Sequence, residues 1–187
     1  IANYSGKIIE PIQSRCAPFR FAYLKREDHD AYLQYIIEQE NVKMTDKGLD
    51  AIYDAFGGDL RRAVNSLQAA ASLGRSIDDE TVYSVIGRAN PVDVRDMITT
   101  AMKGDFIGAR EKLRDMILKY GVAGSDIIRQ IHIEIFRSQL PENWKVKLAD
   151  VIGEVDFRLV QGADEEVQLS ALLARLAQAG YEVQRGG

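Results

Sequence analysis

Residues 45–73, "TDKGLDAIYDAFGGDLRRAVNSLQAAASL", decide how this chain is read. Thr45 is a cap residue ahead of Leu49, Ile52, Tyr53 and Phe56, which recur at helical spacing. Gly57-Gly58 ends that helix, because a left-handed conformation costs glycine little. Asp59 then caps a second helix with Leu60, Ala63, Val64 and Leu67 on one face, which runs into alanines and stops near Gly74. Amphipathic helices this short need partners for their apolar faces, so the pattern predicts a helical bundle.

Working outward, Lys25 to Gln39 reads as a helix with Tyr32, Tyr35, Ile36 and Gln39 on its apolar face and Asn41 at its stop. A short helix from Asp79 carries Val82, Val85 and Ile86. These four make a first small bundle, and Asn90-Pro91 breaks the pattern after it. Five further stripes follow: Val94, Met97, Ile98, Ala101; Phe106, Ala109, Leu113, Met116, Tyr120; Ile127, Ile128, Ile131, Ile135; Trp144, Leu148, Val151, Val155, Leu159; and Leu169, Leu172, Leu173, Leu176. The expected fold is all-α, divided into a leading piece over 1–23, a bundle over 24–89 and a second bundle over 90–187. In the leading piece, "IIEPIQSRCAPFRF" (residues 8–21) sets Arg15 between two short strand-like runs, and Lys7, Arg15 and Arg20 face only Glu10 in charge.

A chain of 187 residues, 46% of them hydrophobic, can bury a substantial core without staples. With 24 Lys and Arg against 28 Asp and Glu, the net charge of -4 lacks the basic footprint of a self-sufficient nucleic-acid binder. The single cysteine, Cys16, rules out an intramolecular disulfide and a Cys-rich zinc site, and a reducing, intracellular setting fits it. No apolar run approaches the roughly 20 residues of a membrane helix. The chain starts without Met, which reads as a fragment.

Motif searches mostly exclude chemistry. There is no G-x-x-x-x-G-K-[ST] loop, no G-x-S-x-G and no H-E-x-x-H. Asp78-Asp79-Glu80 and Asp164-Glu165-Glu166 each precede a helix, where carboxylates meet the positive end of the dipole, so capping is expected rather than metal binding. His29 and His132 are isolated, which points to packed or surface histidines, and Cys16 has no neighbouring His to activate it. Two arginine sites remain. Arg15 is one; the other is Arg61-Arg62, placed unfavourably against the dipole in the first turn of a helix. Either these arginines pair with Asp54 or Asp59, or they help form an anion site. Residues 45–73 also have the outline of a helix-turn-helix DNA reader, and a helical scaffold with no nucleotide role is a third reading.

Two motifs narrow the choice. "NYSGKIIEPIQSRCAPFRF" (3–21) resembles the end of the ATPase domain of replication factor C small subunits, the clamp-loader members of the AAA+ superfamily, of the archaeal type. "GGDLRRAVNSLQ" (57–68) resembles that family's sensor 2 motif, and the remainder is similar to its collar in length and pattern. The resemblance implies a short ATPase-core remnant, an AAA+ lid bundle and a five-helix collar. It places the family's SRC arginine finger, which acts in trans on a neighbour's ATP, at Arg15, its sensor 1 residue at Asn3 and its sensor 2 arginine at Arg61. Ala2 and Gly6 are mild departures from the pattern. The implied parent is an intracellular archaeal ATPase that uses ATP and Mg2+ to load a sliding clamp onto primer-template DNA. Its partners would be small and large replication factor C subunits, held through the collar. The chain itself, lacking the phosphate loop, is expected to be inactive alone and to hold no nucleotide stably. Self-association of residues 90–187 is expected from apolar residues in excess of one stripe, notably Ile127-Ile128 and Leu172-Leu173.

Overall fold

The computed structural model describes residues 5–185, and its regular elements are all helical apart from one parallel bridge between Met44 and Ile77. After a 3-10 turn at Ser5–Lys7 come α1 (Glu10–Gln13), α2 (Arg26–Gln39), α3 (Asp46–Phe56), α4 (Leu60–Ala71) and α5 (Asp79–Ile86). Beyond them lie α6 (Pro91–Met102), α7 (Phe106–Leu118), α8 (Gly124–Arg137), α9 (Glu142–Val160) and α10 (Glu165–Arg185). No helix among the described residues is long and apolar enough to cross a membrane.

Local signals set the boundaries. The Thr45 side chain accepts from the Gly48 N–H at 3.1 Å, Asp59 from Arg62, Asp78 from Thr81 and Asn90 from Val92. Each satisfies a backbone donor that the first turn leaves without an intrahelical acceptor. Hydrogen bonds from Thr81, side chain first and backbone second, hold the Asp78 carboxyl below the usual carboxylate range. Asp164 likewise caps α10 through Val167, so both acidic triples begin helices as their positions predict. Asn41 takes a positive φ of 51°, which the short polar side chain of Asn tolerates and which turns the chain out of α2.

Two hydrophobic cores form. Leu33, Ile52, Ala63, Leu67, Ile77 and Val82 anchor the first, between α2 and α5. The second draws on all of α6–α10, with Met97, Leu113, Ile131, Ile135, Leu172 and Leu176 among its fully or almost fully buried members. The extensive helix–helix packing among described residues lies within these two groups: α3 on α4 and α5, and α10 against α6, α7, α8 and α9.

Two expectations are corrected here. Tyr32 and Tyr35 are exposed, and α2 instead buries His29 and Leu33, one turn apart, with Ile36 and Ile37 half-buried behind them. Ile36 packs against the first core as its place in the stripe predicts, while the tyrosines on either side of the buried line stay at the surface, where their hydroxyls keep water. Ile127, Ile128, Leu172 and Leu173 are at most 1% exposed, so they fill the bundle's own core and give no motive for self-association. The apolar side chains left outside include Val146, Phe157 and Val160 on α9, which fall within about 60° of one another around the helix at 100° per residue.

Gly180 lets α10 come close to the end of α6: a Cβ there would sit 2.0 Å from the Met102 carbonyl oxygen. Gly180→Ala is therefore expected to lose roughly 1–3 kcal/mol to overpacking, offset by up to about 1 kcal/mol of helix propensity. Urea unfolding checks it. An unchanged or raised midpoint would mean that the end of α6 moves aside freely.

Candidate functional site

The turn between α3 and α4 is built by sequence and fixed by packing. Gly57 adopts φ 57°, and the Asp59 carboxylate folds back onto the Arg62 N–H at 3.1 Å. Gly58 leaves room for the incoming linker, since a Cβ there would lie 2.4 Å from both the backbone N and O of Leu24. This contact sets the segment that follows Arg15 against the start of α4. Because Leu24 belongs to neither core, Gly58→Ala should displace the linker without unfolding the bundle. The expected result is faster amide exchange around residues 20–25 with an unchanged melting temperature; unchanged exchange there would show that the contact does not hold the linker.

Arg61 is exposed in the first turn of α4, and its guanidinium forms no ion pair among the described residues. Neither does that of Arg62, which lies over the Phe56 ring, 4.8 Å from the centroid. Pairing of either arginine with Asp54 or Asp59 is thus not what the structure contains. Asp59 is committed to the helix backbone instead, which leaves Arg61 available to an external anion.

Arg15 follows the single turn of α1. Pro11 sits in that turn, where its fixed φ suits a helix start, and the Ser14 hydroxyl donates to the Pro11 carbonyl at 3.2 Å. The strand-like reading of residues 8–21 is corrected accordingly. The run before Arg15 contains a helical turn, while residues 17–25 have no regular structure and leave Phe19, Phe21 and Tyr23 at least 80% exposed. A strand requires a neighbour for its N–H and C=O groups, and the described residues supply none. Arg15 is exposed and, like Arg61, in no ion pair among the described residues. Asn3 lies outside the described residues.

The other titratable candidates are scattered rather than gathered into a site. His29 is fully buried, with Nδ1 3.0 Å from Asp30 Oδ1 and its ring edge-on to Tyr53 at 5.1 Å. His132 packs against Phe136 at the surface, and Cys16 is an exposed free thiol. No group of His, Cys, Asp or Glu suited to a metal ion occurs among the described residues. Glu134 is buried in α8 and satisfied there by Arg95 at 2.9 Å and Gln130 at 3.0 Å, tying α6 to α8.

One feature escapes sequence reading altogether. Arg88, beyond α5, also reaches the Phe56 ring, at 5.5 Å, and donates to the Ala55 carbonyl at the end of α3. Close by, burial raises the Tyr83 phenol to about 12, with Asp54 and Asp79 adding to the shift and Arg88 opposing it. Only the folding of α5 onto α3 creates this proximity across 33 residues.

Residues 89–175 match the replication factor C C-terminal domain. Over nearly all of its length the chain is similar to replication factor C small subunits. It is 52% identical over 185 residues to that of Staphylothermus marinus, covering 98% of this chain and 56% of the relative. For Sulfurisphaera tokodaii the figures are 50% over 186 residues, 98% and 57%; for Thermococcus kodakarensis they are 54% over 178 residues, 95% and 21%. The chain thus spans little more than half of the first two relatives and about a fifth of the third.

Proposed function

The chain belongs to the replication factor C small-subunit family, and from that premise we propose that it forms the lid and collar of a clamp-loader subunit acting inside the cell. The whole subunit would use ATP binding and hydrolysis to place a sliding clamp on primer-template DNA. In this reading residues 1–23 end an ATPase core, 24–89 form the lid and 90–187 form the collar that packs against neighbouring small and large subunits. The observation that carries it is similarity running through both cores, with Arg61 left unpaired at the first turn of α4.

Arg61 suits a nucleotide phosphate: it is a permanent, planar cation beside helix N–H groups that favour anions. ATP bound to the subunit's own ATPase core would then draw the lid toward that core, a differential contact of the kind a nucleotide switch needs. The described residues contain no group suited to Mg2+, so metal ligation is assigned to no residue here. Arg15 would serve the adjacent subunit. For the collar, the exposed line Val146, Phe157 and Val160 supports a subunit contact on α9.

A crossed pair of variants tests this in a subunit joining the chain to an ATPase core. Arg61→Ala should weaken ATP binding about tenfold or more, the worth of a charge-assisted hydrogen bond, while leaving sedimentation of the assembly unchanged. Phe157→Asp should do the reverse, releasing subunits without altering ATP affinity. Wild-type ATP affinity in the first variant sinks the nucleotide role, and intact assembly in the second sinks the α9 contact.

A further inference from the structure

Phe56 carries two guanidinium groups at once, with the Arg62 and Arg88 Cζ atoms 4.8 and 5.5 Å from one ring centroid. The ring's electron-rich face attracts each cation, yet the two cations repel one another. Counter-charge does not resolve this: neither arginine has a carboxylate partner among the described residues. The nearest acid in sequence, Asp59, is occupied by a backbone N–H. Arg88 spends one N–H on the Ala55 carbonyl, and its remaining donors are not accounted for by that bond.

Beside the pair opens a cleft of about 320 Å³, lined by Phe56, Arg62, Ser66, Val85, Ile86 and Arg88 among others. Its lining is cationic at the arginines and apolar at Val85 and Ile86, and Ser66, only 7% exposed, adds a hydroxyl. Arg61, about 100° around α4 from Arg62, does not line this cleft.

We propose that the Phe56–Arg62–Arg88 cleft binds an acidic side chain of a partner polypeptide, with an aliphatic neighbour of that side chain resting on Val85 and Ile86. A carboxylate shared by two guanidiniums accepts charge-assisted, bidentate hydrogen bonds and removes their mutual repulsion. The apolar lining favours a peptide, whose branched alkyl side chains fill such a surface better than the hydroxylated or ether-linked sugars of a nucleic-acid backbone. The cleft is open at the surface, so a side chain can enter without rearrangement of the bundle.

The test is titration of the 187-residue chain with a capped Leu-Glu-Leu-Glu-Leu peptide, followed by NMR of the Val85 and Ile86 methyls and the arginine Nε–H groups. Saturable shifts confined to this cleft are expected. Arg62→Gln and Arg88→Gln should each weaken binding at least about tenfold, and the matching Gln-for-Glu peptide should not bind. Arg88→Gln also removes a cap from α3, so Arg62→Gln, whose side chain makes no hydrogen bond among the described residues, is the decisive variant. The proposal is overturned by absence of saturable shifts, by equal binding of the Gln peptide, by unaltered affinity in Arg62→Gln, or by tighter occupation of the cleft by a single-stranded oligonucleotide.

Discussion

Replacing Arg15 with Ala, in the chain joined to an ATPase core and assembled with its neighbours, is expected to lower ATP hydrolysis by about 10³-fold or more. The expectation rests on the proposed role in trans and on two observations. Arg15 is exposed immediately after the turn of α1, and it forms no ion pair among the described residues that would hold its guanidinium in its own subunit. Phosphoryl transfer spreads negative charge over the transferred group's oxygens, and a fixed planar cation stabilises that charge without a proton transfer. Arg15→Lys should recover little, since an ammonium lacks the planar fork. ATP affinity should stay near wild type, which separates this effect from that of Arg61→Ala. The discriminating measurement mixes Arg15→Ala subunits with subunits unable to bind ATP. Activity should return only where a wild-type Arg15 faces an intact nucleotide site across an interface. Hydrolysis at the wild-type rate in uniformly Arg15→Ala assemblies would remove the role in trans.

Ile131→Ala is expected to cost about 2–5 kcal/mol, the range for emptying a fully buried aliphatic position, and to do so in the second core alone. Ile131 is 0% exposed among residues of α6, α7, α9 and α10, whereas Ile52, equally buried, belongs to the first core. Because the extensive helix packing stays within each group, the two changes should act independently. Hydrogen exchange would show lost protection over 94–176 for Ile131→Ala and over 33–83 for Ile52→Ala. If either variant loosened both regions equally, the chain would be one cooperative unit and the division near Asn90 would lose its physical meaning.

Much of this was legible because it is local. Thr45, Asp59 and Asn90 cap helices through their own neighbours, and Val94, Met97, Ile98 and Ala101 all point inward as their spacing requires. A stripe on one helix implies a core without saying what fills it. For that reason Ile127, Ile128, Leu172 and Leu173 read equally well as an oligomer surface, and packing made them interior. Choice of phase on α2 was right for Ile36 and wrong for Tyr32 and Tyr35 for the same reason. Tyr32 and Tyr35 satisfy a helical period as well as His29 and Leu33 do, and only the packing of α2 on α3 and α4 distinguishes them.

The sites divide along the same line. Arg15 and Arg61 stand out in sequence because each sits in a short motif whose spacing is set by the backbone, and Arg61's freedom follows from a cap three residues long. The Phe56–Arg62–Arg88 cluster has no such signature. By itself, then, the sequence determined the helices from α2 onward, most of their ends and the family. Those depend on hydrogen bonds and periodicity within a few residues. The tertiary structure alone decided which apolar faces are interior, that the linker rests on Gly58 and that Arg88 reaches Phe56, because each depends on the packing of surfaces that no local pattern records.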